Sequence, residues 1–142
     1  MSSKATRIGA IMQLLAVTAL CGAAASSARA QGLKAGEQVY KEVCFVCHAT
    51  GVAGAPKYSD AKVWAPLIKE GQPVLTAHAW VGVRAMPPKG GRPDLSLEEF
   101  SRATAYMARG AGGSWKDPDA GMLTKIRAEE KKRVEQMKRE KK

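Results

Sequence analysis

The stretch EVCFVCHATGVAGAPK, Glu42 to Lys57, constrains this chain more than any other. Cys44 and Cys47 flank two residues, and His48 follows directly. Three chemistries use such a cluster: a zinc clamp, a dithiol redox pair and covalent haem attachment. A structural zinc site needs four ligands. Past residue 30 the chain offers Cys44, Cys47, His48 and His78, and adjacent Cys47 and His48 reach one metal only awkwardly. A redox dithiol opens a helix that follows a strand. Here no alternating or β-branched pattern precedes the motif, which ends a helical stretch instead. Haem attachment asks for C-x-x-C-H as it stands. Two thiols add to two porphyrin vinyl groups, and the histidine becomes the proximal iron ligand.

The first 30 residues do not read as part of the fold. Lys4 and Arg7 precede the apolar run IGAIMQLLAVTALCGAAA, and ARA stands just before Gln31. Residues 1–30 are therefore expected to be a cleaved Sec-type signal, which places the protein in the periplasm, exported and soluble. The run is short for a membrane span and decays into Ala and Ser. The third cysteine, Cys21, lies in this segment. The remaining pair would close a four-residue loop, a poor structural staple. The 142 residues carry a net charge of +10. Without Lys4, Arg7 and Arg29 the balance is twenty cations against thirteen anions, or +7. No dense basic block with interleaved aromatics is present, which excludes nucleic acid as the expected partner. A basic surface suits acidic protein partners, with peripheral membrane association as a further possibility.

An electron-carrying haem needs a sixth ligand, and the candidates are His78, Met86, Met107, Met122 and Met137. Met86 sits in VRAMPPKGG, where two prolines stiffen the following backbone. It is the preferred ligand. His78, in LTAHAW, would give a bis-His site of lower potential. Met107 falls on an amphipathic helix and reads as core. Met122 and Met137 lie in a polar tail.

The fold class expected is all-α, with short helices and loops wrapped around one covalent haem. A first helix is read over residues 33–46, with Gly36 and Tyr40 on one face. AKVWAPLIKEG and QPVLTAHAWVG read as short helices separated by Gly/Pro breaks. Ser96 and Glu99 form a capping box for a last helix, whose stripe runs through Leu97, Phe100, Thr104 and Met107 until RGAGG ends it. Residues 31–110 are the expected haem domain, marginal in size without a macrocycle to pack around. Residues 111–142 read as a Gly/Pro linker and a charged, helical tail. From Lys116 onward the tail has ten cations and six anions. Its expected pairs are Glu129–Arg133 and Glu135–Arg139. Its thin apolar stripe (Leu123, Ile126, Val134, Met137) reads as a solvated helix, with partner docking as the alternative.

From about residue 33 to residue 108 the chain resembles the class I c-type cytochromes, most closely the cytochrome c5 family. The resemblance rests on CFVCH, GVAGAPK, the tryptophan of VWAPLIKEG, MPPKGG and DLSLEEFSRATAYM. It implies the cytochrome c fold and a monohaem one-electron carrier rather than an enzyme. It implies haem c held by Cys44 and Cys47, with His48 and Met86 as axial ligands. It further implies that the Pro56 carbonyl accepts the His48 Nδ1 proton, and that Gly36 and Tyr40 pack on the last helix near Tyr106. Trp64 would lie near a haem propionate, or else simply pack in the core. Lys57, Lys62, Arg84 and Lys89 are expected around the haem edge, steering a terminal oxidase, reductase or dehydrogenase with an acidic docking face. The alternative function is a tightly bound haem subunit of a multi-subunit exported dehydrogenase or reductase. Many c5-type proteins carry a cysteine pair after the methionine loop; here that region reads GRPDLS.

Overall fold

The computed structural model describes residues 32–141, and the expected signal over residues 1–30 lies outside them. Among the described residues every regular element is helical, and the one β-type pairing is an isolated antiparallel bridge between Val83 and Met86. The first helical segment runs through α1 (Gly36–Val39), a π-helical turn over Tyr40–Cys44 and α2 (Phe45–His48). It starts three residues later than the sequence suggests and runs on through His48. Tyr40, Cys44 and His48, each four residues on from the last, share the inner face of this segment and are buried.

Helices α3 (Ala61–Glu70) and α4 (Gln72–Val81) follow, parted by Gly71 at φ 93°. The Asp60 carboxylate caps α3 by accepting from the Val63 amide. Helix α5 (Leu97–Gly110) opens with the expected capping box: Ser96 Oγ accepts from the Glu99 amide, and the Glu99 carboxylate accepts from the Ser96 amide. It ends in a Schellman motif, with the Gly113 amide on the Ala108 carbonyl and Gly112 at φ 93°. Buried Ser101 and Thr104 return their hydroxyls to the Leu97 and Phe100 carbonyls, so a largely apolar face stays satisfied.

Helix α1 meets α5 at Gly36. A Cβ there would overlap the Arg102 carbonyl and lie 3.1 Å from Tyr106 Cβ. The approach lets Tyr40 pack on Tyr106 and Tyr58, with ring centroids 5.5 and 4.8 Å away.

The C-terminal segment departs from its reading as a solvated tail. Residues 111–119 are pinned to the domain: Gln72 Nε2 donates to the Lys116 carbonyl, and Arg109 pairs with Asp117. Helix α6 (Ala120–Glu140) is capped by Asp119 and packs on α4. Ile126 is fully buried against Ala77 and Leu97, with Met122, Leu123 and Trp80 around it. The thin stripe is thus a seam onto the chain's own domain. The expected charge pairs also differ, since Glu129 holds Lys132 at 2.7 Å and Glu135 holds Lys138 at 2.9 Å. Arg133 is half-buried, its Nε shielded from solvent, so it is not the free outward cation that the Glu129 pair required.

Candidate functional site

One cavity of about 420 Å³ brings together Cys44, Cys47, His48 and Met86. That volume suits a ligand-sized group. Phe100 and Met107 supply apolar wall from α5, so Met107 plays the core role read for it.

The cysteines enter from the π turn and α2. Both are free thiols. Burial, then the neighbouring Cys47, pushes the Cys44 thiol up to about 12. Such a thiol is a poor redox nucleophile at neutral pH. Nor do the described residues hold any group of three or more His, Cys, Asp or Glu side chains placed to share a metal ion.

His48 closes α2 and is only 7% exposed. Its Nδ1 donates to the Pro56 carbonyl at 2.8 Å, which leaves Nε2 with a free lone pair. The loop between them doubles back through Gly51, Ala53 and Gly54, all at positive φ. Gly51 stands at φ 82°, a left-handed conformation that favours glycine.

Met86 comes from a separate loop whose backbone is tied twice. The Val83 amide donates to the Met86 carbonyl at 3.1 Å, and the Met86 amide donates to the Val83 carbonyl at 2.9 Å. Gly82, at φ 93°, lets Met86 and Pro88 come closer than a side chain would allow. The prolines visible in the sequence are therefore only part of what stiffens this loop. His78 reaches the same cavity, its Nδ1 3.5 Å from the Glu70 carboxylate, a pairing that spacing alone did not reveal. Trp64 lines the cavity with its ring 6.5 Å from that of His48, but its indole N–H already donates to the Lys57 carbonyl. The indole N–H is thus satisfied within the protein.

The four expected cations differ in how they stand to the cavity itself. Arg84 lines the cavity, whereas Lys57, Lys62 and Lys89 do not. Lys89 is drawn onto the Trp80 ring, 4.6 Å from its centroid. Apolar surface stands nearby instead: Phe45 is 54% exposed, Val46 73% and Val52 53%, and Val52 lines the cavity. Two of these three are the unspecified residues of C-x-x-C-H, and their apolar character was the available signal.

Residues 31–107 match a protein family described as "Cytochrome C oxidase, cbb3-type, subunit III". The chain is 42% identical over 77 residues to cytochrome c-555 of Chlorobaculum thiosulfatiphilum, covering 51% of this chain and 90% of that protein. It is 37% identical over 79 residues to cytochrome c5 of Azotobacter vinelandii, covering 54% of this chain and 95% of that one. It also resembles a chain in the crystal structure of an electron transfer complex of nitrite reductase with cytochrome c. There the TM-score is 0.52 and the identity 43%, over 54% of this chain and 93% of that chain.

Proposed function

Since the chain belongs to the class I c-type cytochromes and is c5-like, we propose that it is a periplasmic one-electron shuttle whose covalent haem c is ligated by His48 and Met86. Bound haem c supplies reversible one-electron chemistry. The chain's residues anchor, orient and shield it. Cys44 and Cys47 provide the two thioether sulfurs. Pro56 fixes the His48 ring and makes Nε2 more basic. Met86 offers a thioether, which with His48 favours a positive potential, from a loop with little freedom to reorganise.

The observation that carries this reading is the His48–Pro56 hydrogen bond inside the cavity shared by both thiols and Met86. Export is supported by the N-terminal segment. Among the described residues no helix is long and apolar enough to cross a membrane. A redox protein as partner is supported by the similar chain found with nitrite reductase. The apolar surface of Phe45, Val46 and Val52, with Arg84 at the cavity, suits brief encounters with such a partner, one with an acidic docking face.

Visible spectroscopy of the ferric holoprotein tests the ligand set. The wild type should show the weak long-wavelength sulfur-to-iron charge-transfer band. Met86→Ala should lose it, and His78→Ala should keep it. A band that survives Met86→Ala would overturn the assignment. The alternative of a stable haem subunit gains from the wording of the matched family's description. It requires copurification with a large partner, whereas a shuttle purifies alone. That α6 is folded onto its own domain favours the shuttle, because the helix is not free to serve as an anchor.

A further inference from the structure

The matched family region ends at residue 107, and α6 lies wholly beyond it. Yet α6 contacts the part of the domain that carries the Met86 loop. Glu130, near the middle of α6, accepts the Trp80 indole N–H at 3.0 Å. Trp80, near the end of α4, touches two further groups. Its ring meets Phe100, a cavity wall residue, edge to face at 5.4 Å. Its face carries the Lys89 ammonium.

Lys89 lies three residues beyond Met86 and has φ 54°, a left-handed conformation unusual for a residue with a side chain. Such a backbone persists where its surroundings hold it. Two contacts do so here: the ring of Trp80, and the Pro93 carbonyl that accepts from Lys89 Nζ at 3.0 Å. The Glu130 carboxylate makes the indole a better cation platform, because it places negative charge on the N–H edge of the ring whose face holds the ammonium. Ile126, buried one turn before Glu130, keeps the carboxylate in place.

We propose that α6 is a brace for the methionine loop: Glu130 fixes Trp80, Trp80 seats Lys89, and the three act as positioning residues that keep Met86 at the iron. This rests on the reading of Met86 as axial ligand. It predicts a coupling between the C-terminal helix and the haem that global stability alone would not produce.

The test uses full-length ferric holoprotein and added imidazole, which binds iron only when the methionine leaves. Trp80→Phe, Glu130→Gln and Lys89→Gln should each speed imidazole binding by roughly fivefold, the scale of one cation–π contact. The sulfur-to-iron band should also fade at a lower temperature than helix unfolding by circular dichroism. Glu130→Gln with Lys89→Gln should add little to either single change, as for members of one chain of contacts. Glu130→Gln keeps side-chain size and Lys89→Gln keeps a polar side chain on a surface loop, so they serve even if Trp80→Phe folds poorly. If all three variants bind imidazole at the wild-type rate, while Met86→Ala abolishes the band, the brace is wrong and the ligand reading stands. If Met86→Ala keeps the band, both fall together.

Discussion

Replacing Gly36 by alanine tests the contact that fastens the first helix to α5. A Cβ at this position would overlap the Arg102 carbonyl oxygen, and would lie 2.6 Å from the carbonyl carbon against about 3.4 Å for ordinary contact. Both groups are backbone, so no rotamer change relieves the clash. Helix α1 must retreat by roughly an ångström, and its buried neighbours Val39 and Tyr40 must retreat with it. Overpacking of this kind costs about 1–3 kcal/mol. The gain in helix propensity from Gly to Ala, up to about 1 kcal/mol, offsets part of it. A net loss of about 1–2 kcal/mol should lower Tm by about 4 °C or more per kcal/mol. Guanidinium and thermal unfolding of the holoprotein, followed by far-ultraviolet circular dichroism, would measure it. The denaturant slope should stay unchanged, since the same surface is exposed on unfolding. A midpoint equal to or above the wild type would show that the helices do not meet this closely, and the argument would fail.

Two further outcomes follow from the packing. Ile126→Ala should cost about 2–5 kcal/mol in the same assay, as for a fully buried residue, whereas a solvated tail would lose about 0.5 kcal/mol or less. Ser96→Ala should cost about 1 kcal/mol and change the response to acid. Hydrogen bonding from Ser96, with the backbone amides of Lys34 and Ser96, holds the Glu99 carboxyl below its ordinary 4.5. Its stabilisation is therefore complete above pH 4.5 and drains away as pH falls through the depressed folded value. In Ser96→Ala that acid-dependent loss should shrink, which unfolding midpoints measured on both sides of pH 4.5 would show.

What the sequence revealed divides along the range of the interactions. C-x-x-C-H and the Ser96 capping box are local, set by spacing within one helical turn, and the structure brings them together as read. The pairing of Gly36 and Tyr40 with Tyr106, and of His48 with Pro56, came through family likeness and is present in the geometry. The π turn at Tyr40–Cys44 left no mark in the sequence, where Tyr40, Cys44 and His48 keep ordinary helical spacing. The Lys89 contact was unreadable for a similar reason: nothing near it in sequence announces that Trp80 will hold its charge. The tail was hardest to read. Within α6 only Ile126 is buried, and the most specific contact comes from Glu130, a residue type that ordinarily marks a solvated face.

The segment after Met86 shows what this arrangement means for the site. Residues 91–96 carry no cysteine, and the described ties are non-covalent: Lys89 to Pro93, Arg92 to Asp94, and the Leu95 amide to the Arg92 carbonyl. A disulfide tightens a loop mainly by restricting the unfolded chain, so it acts whether or not the rest of the domain is packed. Contacts such as Lys89 on Trp80 act only while the folded surroundings persist. With the proposed brace, the firmness of the Met86 loop depends on α6 being docked. Local opening of the C-terminal helix, a cheaper event than global unfolding, would then loosen the iron's sixth ligand before the fold is lost.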